Sequence, residues 1–292
     1  RLGYGKRLKL SGNRIRLETV WSPDQFDLCF TSGDSYLRRN NALLEEACAL
    51  YRAVEKPLVV LLSGGDDSRR VALAAHGAGL DFACVSHESL GPDWWDEDTA
   101  VARMIAAKLG VPFQKIPYPD SDGCVTNDRF GWELFDWENF QHGWSVEMFR
   151  GIDRPSTILD GVGFDIAVNG HFYHRIPSYR AVWQDLDRVA SLIVDRKSPI
   201  PFRTVAGENL TAVVHEELER LPHTQHALSL YYLLNHARRA TNSWQQAMRY
   251  FGHAPAAPFF HLPLFEHSLQ IEPEEAGREY LQSRAVELLN PE

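Results

Sequence analysis

Apolar and polar positions change their period several times along the chain. Residues 8 to 21, LKLSGNRIRLETVW, alternate polar and apolar around an S-G-N turn, the pattern of a hairpin or a pair of short strands. NNALLEEACALYRAV then repeats at helical spacing, carrying Leu43, Leu44, Ala47, Cys48 and Tyr51. LVVLL, residues 58 to 62, is a short unbroken apolar run and predicts a strand covered on both faces. SRRVALAAHGAG reads as a helix that stops at Gly77 and Gly79. A strand in DFACVSH, a helix in DEDTAVARMIAAKLG and a strand in VPFQKIP continue the alternation. That helix has acids in its first turn, Lys108 in its last and Gly110 after it, as the helix dipole favours. STILD at 156 to 160 is a fourth strand, with GVGFD as the turn after it. Strand and helix alternating at this length predict βαβ units and a parallel sheet.

From about residue 178 the period becomes helical throughout. AVWQDLDRVASLIVD, LTAVVHEELERL, HALSLYYLLNHARRA and REYLQSRAVELL are amphipathic helices with no obvious strand between them, and KSPIPF, with Pro199 and Pro201, is a linker. The expected architecture is therefore α/β, a parallel sheet with flanking helices, followed by a mostly helical C-terminal part. The 292 residues, 44% hydrophobic and 24% charged, suffice for one large domain or two modest ones. The chain opens on Arg1 without Met, as a piece of a longer or processed protein would. A net charge of -9 without any lysine-arginine run argues against a sequence-independent grip on nucleic acid. No stretch is apolar for long enough to span a membrane, and no leader pattern stands at the start. Cys29, Cys48, Cys84 and Cys124 lie far apart and form no CxxC, so they read as free thiols of a reducing, cytoplasmic setting.

Chemistry concentrates at LVVLLSGGDDSRR, residues 58 to 70, where two glycines and two aspartates follow the first core strand. Ligands of open α/β sheets sit at the carboxyl edge, and the helix that follows offers unpaired N–H groups to phosphate oxygens. Gly64 and Gly65 allow the backbone to approach closely, and the hydroxyls of Ser63 and Ser68 can donate to phosphate. A carboxylate repels phosphate unless a divalent cation lies between them, so Asp67 reads as a Mg²⁺ contact. The alternative is a glycine turn whose aspartates only cap the helix. Neither the Walker pattern nor GxGxxG is present.

The string S-G-G-x-D-S after a VVLL strand resembles the pyrophosphate loop of the ATP-pyrophosphatase superfamily, whose members split ATP into AMP and pyrophosphate. Three further stretches resemble the synthetase domain of the asparagine synthetase family. FACVSHESLGPDWWDEDTAVARMIAAKLGVPFQKIP is similar to its second strand, acidic helix start and third strand. LDGVGFDIAVNGHFYH is similar to its GxGxDExxxGY segment, with Gly161, Gly163, Asp165, Gly170 and Tyr173 in or near register. HAPAAPFFHLPLFEHSLQIEPEE resembles its late R-x-P-F-L-D region. The resemblance runs from about residue 40 to 290 in the right order. It implies an adenine nucleotide alpha hydrolase-like fold over 36–292, with 1–35 as the tail of a glutaminase-like domain or a linker.

By the same resemblance, a substrate carboxylate attacks the α-phosphorus of ATP, and an amine or ammonia then displaces AMP to form an amide. Asp67 and Asp165 would share Mg²⁺, Leu62, Val85 and Ser86 would line the adenine, and Gly161 and Gly163 would shape the second turn. Arg278 or Arg284, in AGREYLQSR, would supply the positive charge that a lysine supplies in the family. The chain departs from the family at Val162 and Ile166, where glutamates are usual. That implies a specialised acid, an intramolecular closure as in β-lactam synthetases and lasso-peptide cyclases, or lost catalysis on a nucleotide-binding scaffold. The partners in view are ATP, a small-molecule or peptide carboxylate, an amine or ammonia, a glutaminase domain and a second copy of the chain. Arg69 reads equally as a phosphate contact and as a solvated helix face, and His171 and His174 lack a third metal ligand in the sequence. The aromatic cluster Phe130, Trp132, Phe135, Trp137, Phe140 and Trp144 reads as core or lid packing.

Overall fold

The structure is a computed structural model that describes residues 5–12, 14–22, 31–88, 94–117, 120–135, 143–163, 182, 184–197, 200–221, 227–272, 275 and 280–289. Its first element is the expected hairpin, β1 (Lys6–Ser11) and β2 (Arg14–Thr19), which pair antiparallel across a turn at Gly12. A long helix, α1 (Gly33–Ala49), continues as a 3₁₀ turn over Leu50–Ala53 and leads to β3 (Leu58–Leu61). The helix α2 (Asp66–Gly77) follows, then β4 (Phe82–His87), α3 (Trp94–Leu109) and β5 (Phe113–Ile116). Gly79 and Gly110, just past the two helices, have φ of 67° and 68°, the left-handed backbone their position predicted. Two helices that the apolar pattern left unassigned, α4 (Ser121–Phe135) and α5 (Gly143–Arg150), precede β6 (Thr157–Leu159).

The sheet has five strands in the order β5-β4-β3-β6-β7, each pair parallel. The fifth, β7 (Ala254–Ala256), corrects the reading of the C-terminal part as strandless. Its sequence, Ala-Pro-Ala, shows no alternation, and proline is excluded from central strands. An edge position with only β6 beside it tolerates the missing N–H. From β3 the chain steps outward to β4 and β5, then crosses back to lay β6 on the other side of β3. The switch in direction lies between β3 and β6, which pair in parallel.

All four residues of β3 are buried, as an unbroken apolar run demands. Leu58 and Val60 face a layer built from α1, α2 and α3, with Leu44, Cys48, Val71, Ala75 and Ala106 among its residues. Val59 and Leu61 face the opposite layer, where Val146 and Phe149 of α5 meet Ala247 and Met248. Burial of one such aliphatic side chain contributes roughly 2 kcal/mol, more than strand propensity supplies, so double coverage stabilises a strand of only four residues.

The helical part comprises α6 (Leu186–Lys197), α7 (Ile200–Glu219), α8 (Ala227–Tyr232) and α9 (Arg238–Tyr250), with a π-helical segment over Leu233–Ala237 joining the last two. Val189, Val194, Val214, Leu218, Leu230 and Leu234 give it a core of its own. The expected linker at 197–202 is shorter than read: α7 already begins at Ile200 and holds Pro201 in its first turn, where a proline removes no helical hydrogen bond. Two short elements close the chain, α10 (Leu262–Ser268) and α11 (Tyr280–Leu289). Among the described residues no helix is long and apolar enough to cross a membrane. Cys48 and Cys84 are buried free thiols, and burial pushes both up to about 12. Cys29 and the side chain of Cys124 lie outside the described residues.

Candidate functional site

The residues SGGDDS form the turn from β3 into α2, with Gly65 at the helix N-cap. Gly65 is extended there (φ -73°, ψ 151°), so the turn needs no left-handed residue. What both the turn and its surroundings need is room. A Cβ on Gly64 would lie 3.1 Å from the Cα of Asp98 and would also strike that residue's carboxylate, so the first turns of α3 pass directly over the loop. The loop's polar groups satisfy one another. Ser63 N–H donates to Ser68 Oγ at 3.0 Å, Gly65 N–H donates to Ser63 Oγ at 3.2 Å, and the two hydroxyls lie 2.9 Å apart. Two backbone donors are thus held in place by serine oxygens that an anion's oxygens can replace.

The second glycine turn abuts the first. Gly161 follows β6, and a Cβ built on it would lie 2.9 Å from the carbonyl carbon of Asp67 and 3.0 Å from the nitrogen of Ser68. Only a residue without a side chain lets the two turns close to this distance. Gly163 has φ of 108°, and a Cβ there would lie 2.9 Å from the ring of Phe260. Between these glycines, Val162 N–H donates to Asp160 Oδ1 at 3.2 Å. Burial pushes the Asp160 carboxyl up to about 6, against the pull of the N–H groups of Val162 and Gly161.

The site's acids are held from a distance. Gln282 Nε2, on α11, donates to Asp67 Oδ1 at 3.0 Å, and Ser283 Oγ donates to Asp66 Oδ2 at 3.1 Å. Asp66 is also paired with Arg69, three residues along the same helix. The next residue, Arg70, is fully buried, donates at 2.7 Å to the side-chain oxygens of both Asn40 and Asn41, and lies over the Phe259 ring at 5.6 Å. Burial lowers its pKa to about 10, and the charge of Asp67 acts in the opposite direction. The amides carry the network outward: Asn40 donates to Ser268 Oγ at 3.1 Å and Asn41 to the Ala285 carbonyl at 2.8 Å. The loop helix α2 is thereby tied to α1, α10 and α11 through buried polar groups.

Of the residues singled out in the sequence, Leu62, Ser63, Gly64, Gly65, Asp67, Ser68, Val85, Ser86, Gly161 and Gly163 all lie at the carboxyl edge of β3, β4 and β6. Leu62 N–H donates to the Val85 carbonyl at 2.9 Å, extending the β3–β4 pairing to the rim. Asp165 and Arg278 lie outside the described residues, as do Ile166, Gly170, His171, Tyr173 and His174. Arg284 is engaged by Asp34, through Nε at 3.1 Å and Nη2 at 2.6 Å, and by Glu287. Of the aromatic cluster, Phe130 packs against Tyr250 and Phe251, which fits core packing, whereas Trp132 is exposed. Residues 137 and 140 and the side chains at 135 and 144 lie outside the described residues. Asp98 and Asp160 fall within stretches that carry the resemblance but were not singled out there, and Gln282 and Ser283 read as ordinary polar positions of an amphipathic helix.

The loop brings N–H and hydroxyl donors together with two carboxylates. Among the described residues no three His, Cys, Asp or Glu side chains converge, so no all-protein metal cage is formed. Mg²⁺ does not require one, since it keeps several waters and takes one or two carboxylates together with substrate phosphate oxygens. The backbone of Asp67 lies where the two glycine turns meet, and its carboxylate accepts from Gln282. No family model matches the chain, and no curated protein matches it.

Proposed function

We propose that the protein is an ATP-dependent, AMP-forming amide ligase of asparagine-synthetase type, built on an adenine nucleotide alpha hydrolase-like sheet. The observation that carries this reading is the contact between the two glycine turns at the switch point of the sheet, with Gly161 against the backbone of Asp67 and Ser68. In this reading the loop from Ser63 to Ser68 holds the triphosphate through its N–H groups and hydroxyls. Leu62, Val85 and Ser86 flank the adenine. Asp67 and Asp165 hold Mg²⁺, which when bound neutralises phosphate charge. Arg278 adds positive charge beside the departing pyrophosphate. The substrate carboxylate forms a bond to the α-phosphorus as pyrophosphate leaves, and an amine or ammonia then forms the amide as AMP leaves with the loss of a proton. The proposal extends to a cytoplasmic setting and to ammonia supplied by a glutaminase domain.

A second reading has an observation of its own. Val162 occupies a glutamate position of the family pattern and offers no side-chain ligand or base, which suits a nucleotide-binding scaffold without turnover. Pyrophosphate release from ATP and Mg²⁺, measured across a panel of acids and amines, separates the two. The ligase releases pyrophosphate with one acid, and Asp67→Asn lowers that rate about 100-fold or more. Nucleotide binding without release across the whole panel favours the scaffold.

A further inference from the structure

The last helix touches the loop acids directly, across more than two hundred residues of sequence. Gln282 and Ser283 are adjacent on α11 and reach Asp67 and Asp66, one residue each. Their helix is itself anchored on both sides of these contacts. Leu281 and Ala285 are buried in the layer that also holds Val71 and Ala75 of α2, Asn41 donates to the Ala285 carbonyl, and Arg284 clasps Asp34 of α1. An anchored helix fixes the backbone positions from which Gln282 and Ser283 reach the loop acids. A carboxylate that must present an oxygen to a cation gains from such a donor, since a hydrogen bond to one oxygen sets the plane and direction of the other. Outer partners of metal-ligating carboxylates act in this way, and their loss costs about 10–100-fold in metal affinity.

We infer that α11 is the outer wall of the phosphate site and that Gln282 is the positioning residue that aims the Asp67 carboxylate at the cation accompanying the nucleotide. The inference rests on the ligase reading for the presence of ATP and Mg²⁺, but it concerns binding alone. Ser283 holds Asp66 in parallel, donating to Oδ2 of the carboxylate that pairs with Arg69 through Oδ1. The sequence offers no signal for this pairing, because Gln282 reads as an ordinary polar position of an amphipathic helix.

The test is the Mg²⁺ dependence of ATP binding by the full chain, titrated calorimetrically, with binding in EDTA as the reference. Gln282→Met keeps the length of the side chain and removes the donor. It raises the Mg²⁺ concentration for half-maximal binding about tenfold and leaves metal-free ATP affinity unchanged. Gln282→Asn, too short to reach, does the same and serves if the methionine variant folds poorly. In an Asp67→Asn background either change has no further effect on the Mg²⁺ midpoint, as two members of one contact must show. An unchanged midpoint, an equal loss with and without metal, or a shift that persists in the Asp67→Asn background overturns the positioning role while leaving the ligase reading intact. Absence of ATP binding by the wild-type chain, with and without Mg²⁺, overturns that reading and the inference with it.

Discussion

Arg70 and Gly161 show how far single residues decide this site. A guanidinium excluded from water is expensive to bury, and Arg70 is accommodated because two amide oxygens, those of Asn40 and Asn41, accept from it and an aromatic face covers it. Its place in the sequence, beside Arg69 on a helix, favours a solvated pair, and only the packed structure distinguishes the buried arginine from its neighbour. Gly161 was legible for the opposite reason: a glycine in a turn after a strand is a local signal. Its requirement comes from contact, because a methyl group there would lie 2.9 Å from the backbone of Asp67. Gly161→Ala is expected to force the two turns apart. Urea denaturation should register a loss of about 1–3 kcal/mol, and ATP affinity should fall with it. Retention of full nucleotide affinity by the alanine variant would show that the turns close without this contact.

Elements carry the pH response. His253, between α9 and β7, accepts at Nδ1 from the Ser156 N–H at 3.2 Å, which leaves Nε2 to donate to the Phe149 carbonyl at 2.8 Å, so the folded ring is neutral. Burial lowers its pKa below the ordinary 6.5. The unfolded chain therefore binds this proton more readily, and the stability His253 contributes is present above about 6.5 and drains as pH falls below it. Asp160 works the other way. Its folded carboxyl, raised from 3.8 to about 6, holds its proton more tightly than the unfolded one, so its contribution is full below 3.8 and is lost as pH rises through about 6. Asp160→Asn, which still offers an oxygen to the Val162 N–H, should then gain on the order of 2 kcal/mol over wild type at pH 7 and little at pH 4. His253→Gln should flatten the fall in stability between pH 7 and pH 5. Denaturation curves at pH 4 to 7 for the three proteins check both signs. Most of these elements were legible because their periods are strong. The strand β7 was not, since Ala-Pro-Ala has no pattern and becomes a strand only by lying beside β6.

At the scale of the whole molecule, the proposed nucleotide site is the place where distant segments converge. Segments of α2, α3, α11 and the turn after β6 meet there: Asp98 lies against Gly64, Gly161 against the backbone of Asp67 and Ser68, and Gln282 reaches Asp67. A ligand bound there is bound only by the assembled fold, and it stabilises that fold by mass action, about 2.7 kcal/mol at a hundredfold excess over its dissociation constant. For a chain of this length that free energy corresponds to a rise in melting temperature of about 4 °C. Differential scanning fluorimetry with ATP and Mg²⁺ should show the rise, and Asp67→Asn should lose the part that depends on Mg²⁺. An identical rise with a non-nucleotide polyanion such as tripolyphosphate would point to a phosphate site with no preference for adenine.

The chain's sequence by itself determined the alternation of strand and helix, the doubly covered β3 and the acidic glycine turn that follows it, because each depends on neighbours within one or two turns of chain. Only the tertiary structure decided that β6 lies beside β3, that Gly161 meets Asp67 and Ser68, and that Gln282 and Ser283 reach the loop acids. These are contacts between segments roughly ninety to more than two hundred residues apart. They are selected by which apolar faces bury together, and no periodicity within either segment encodes its partner.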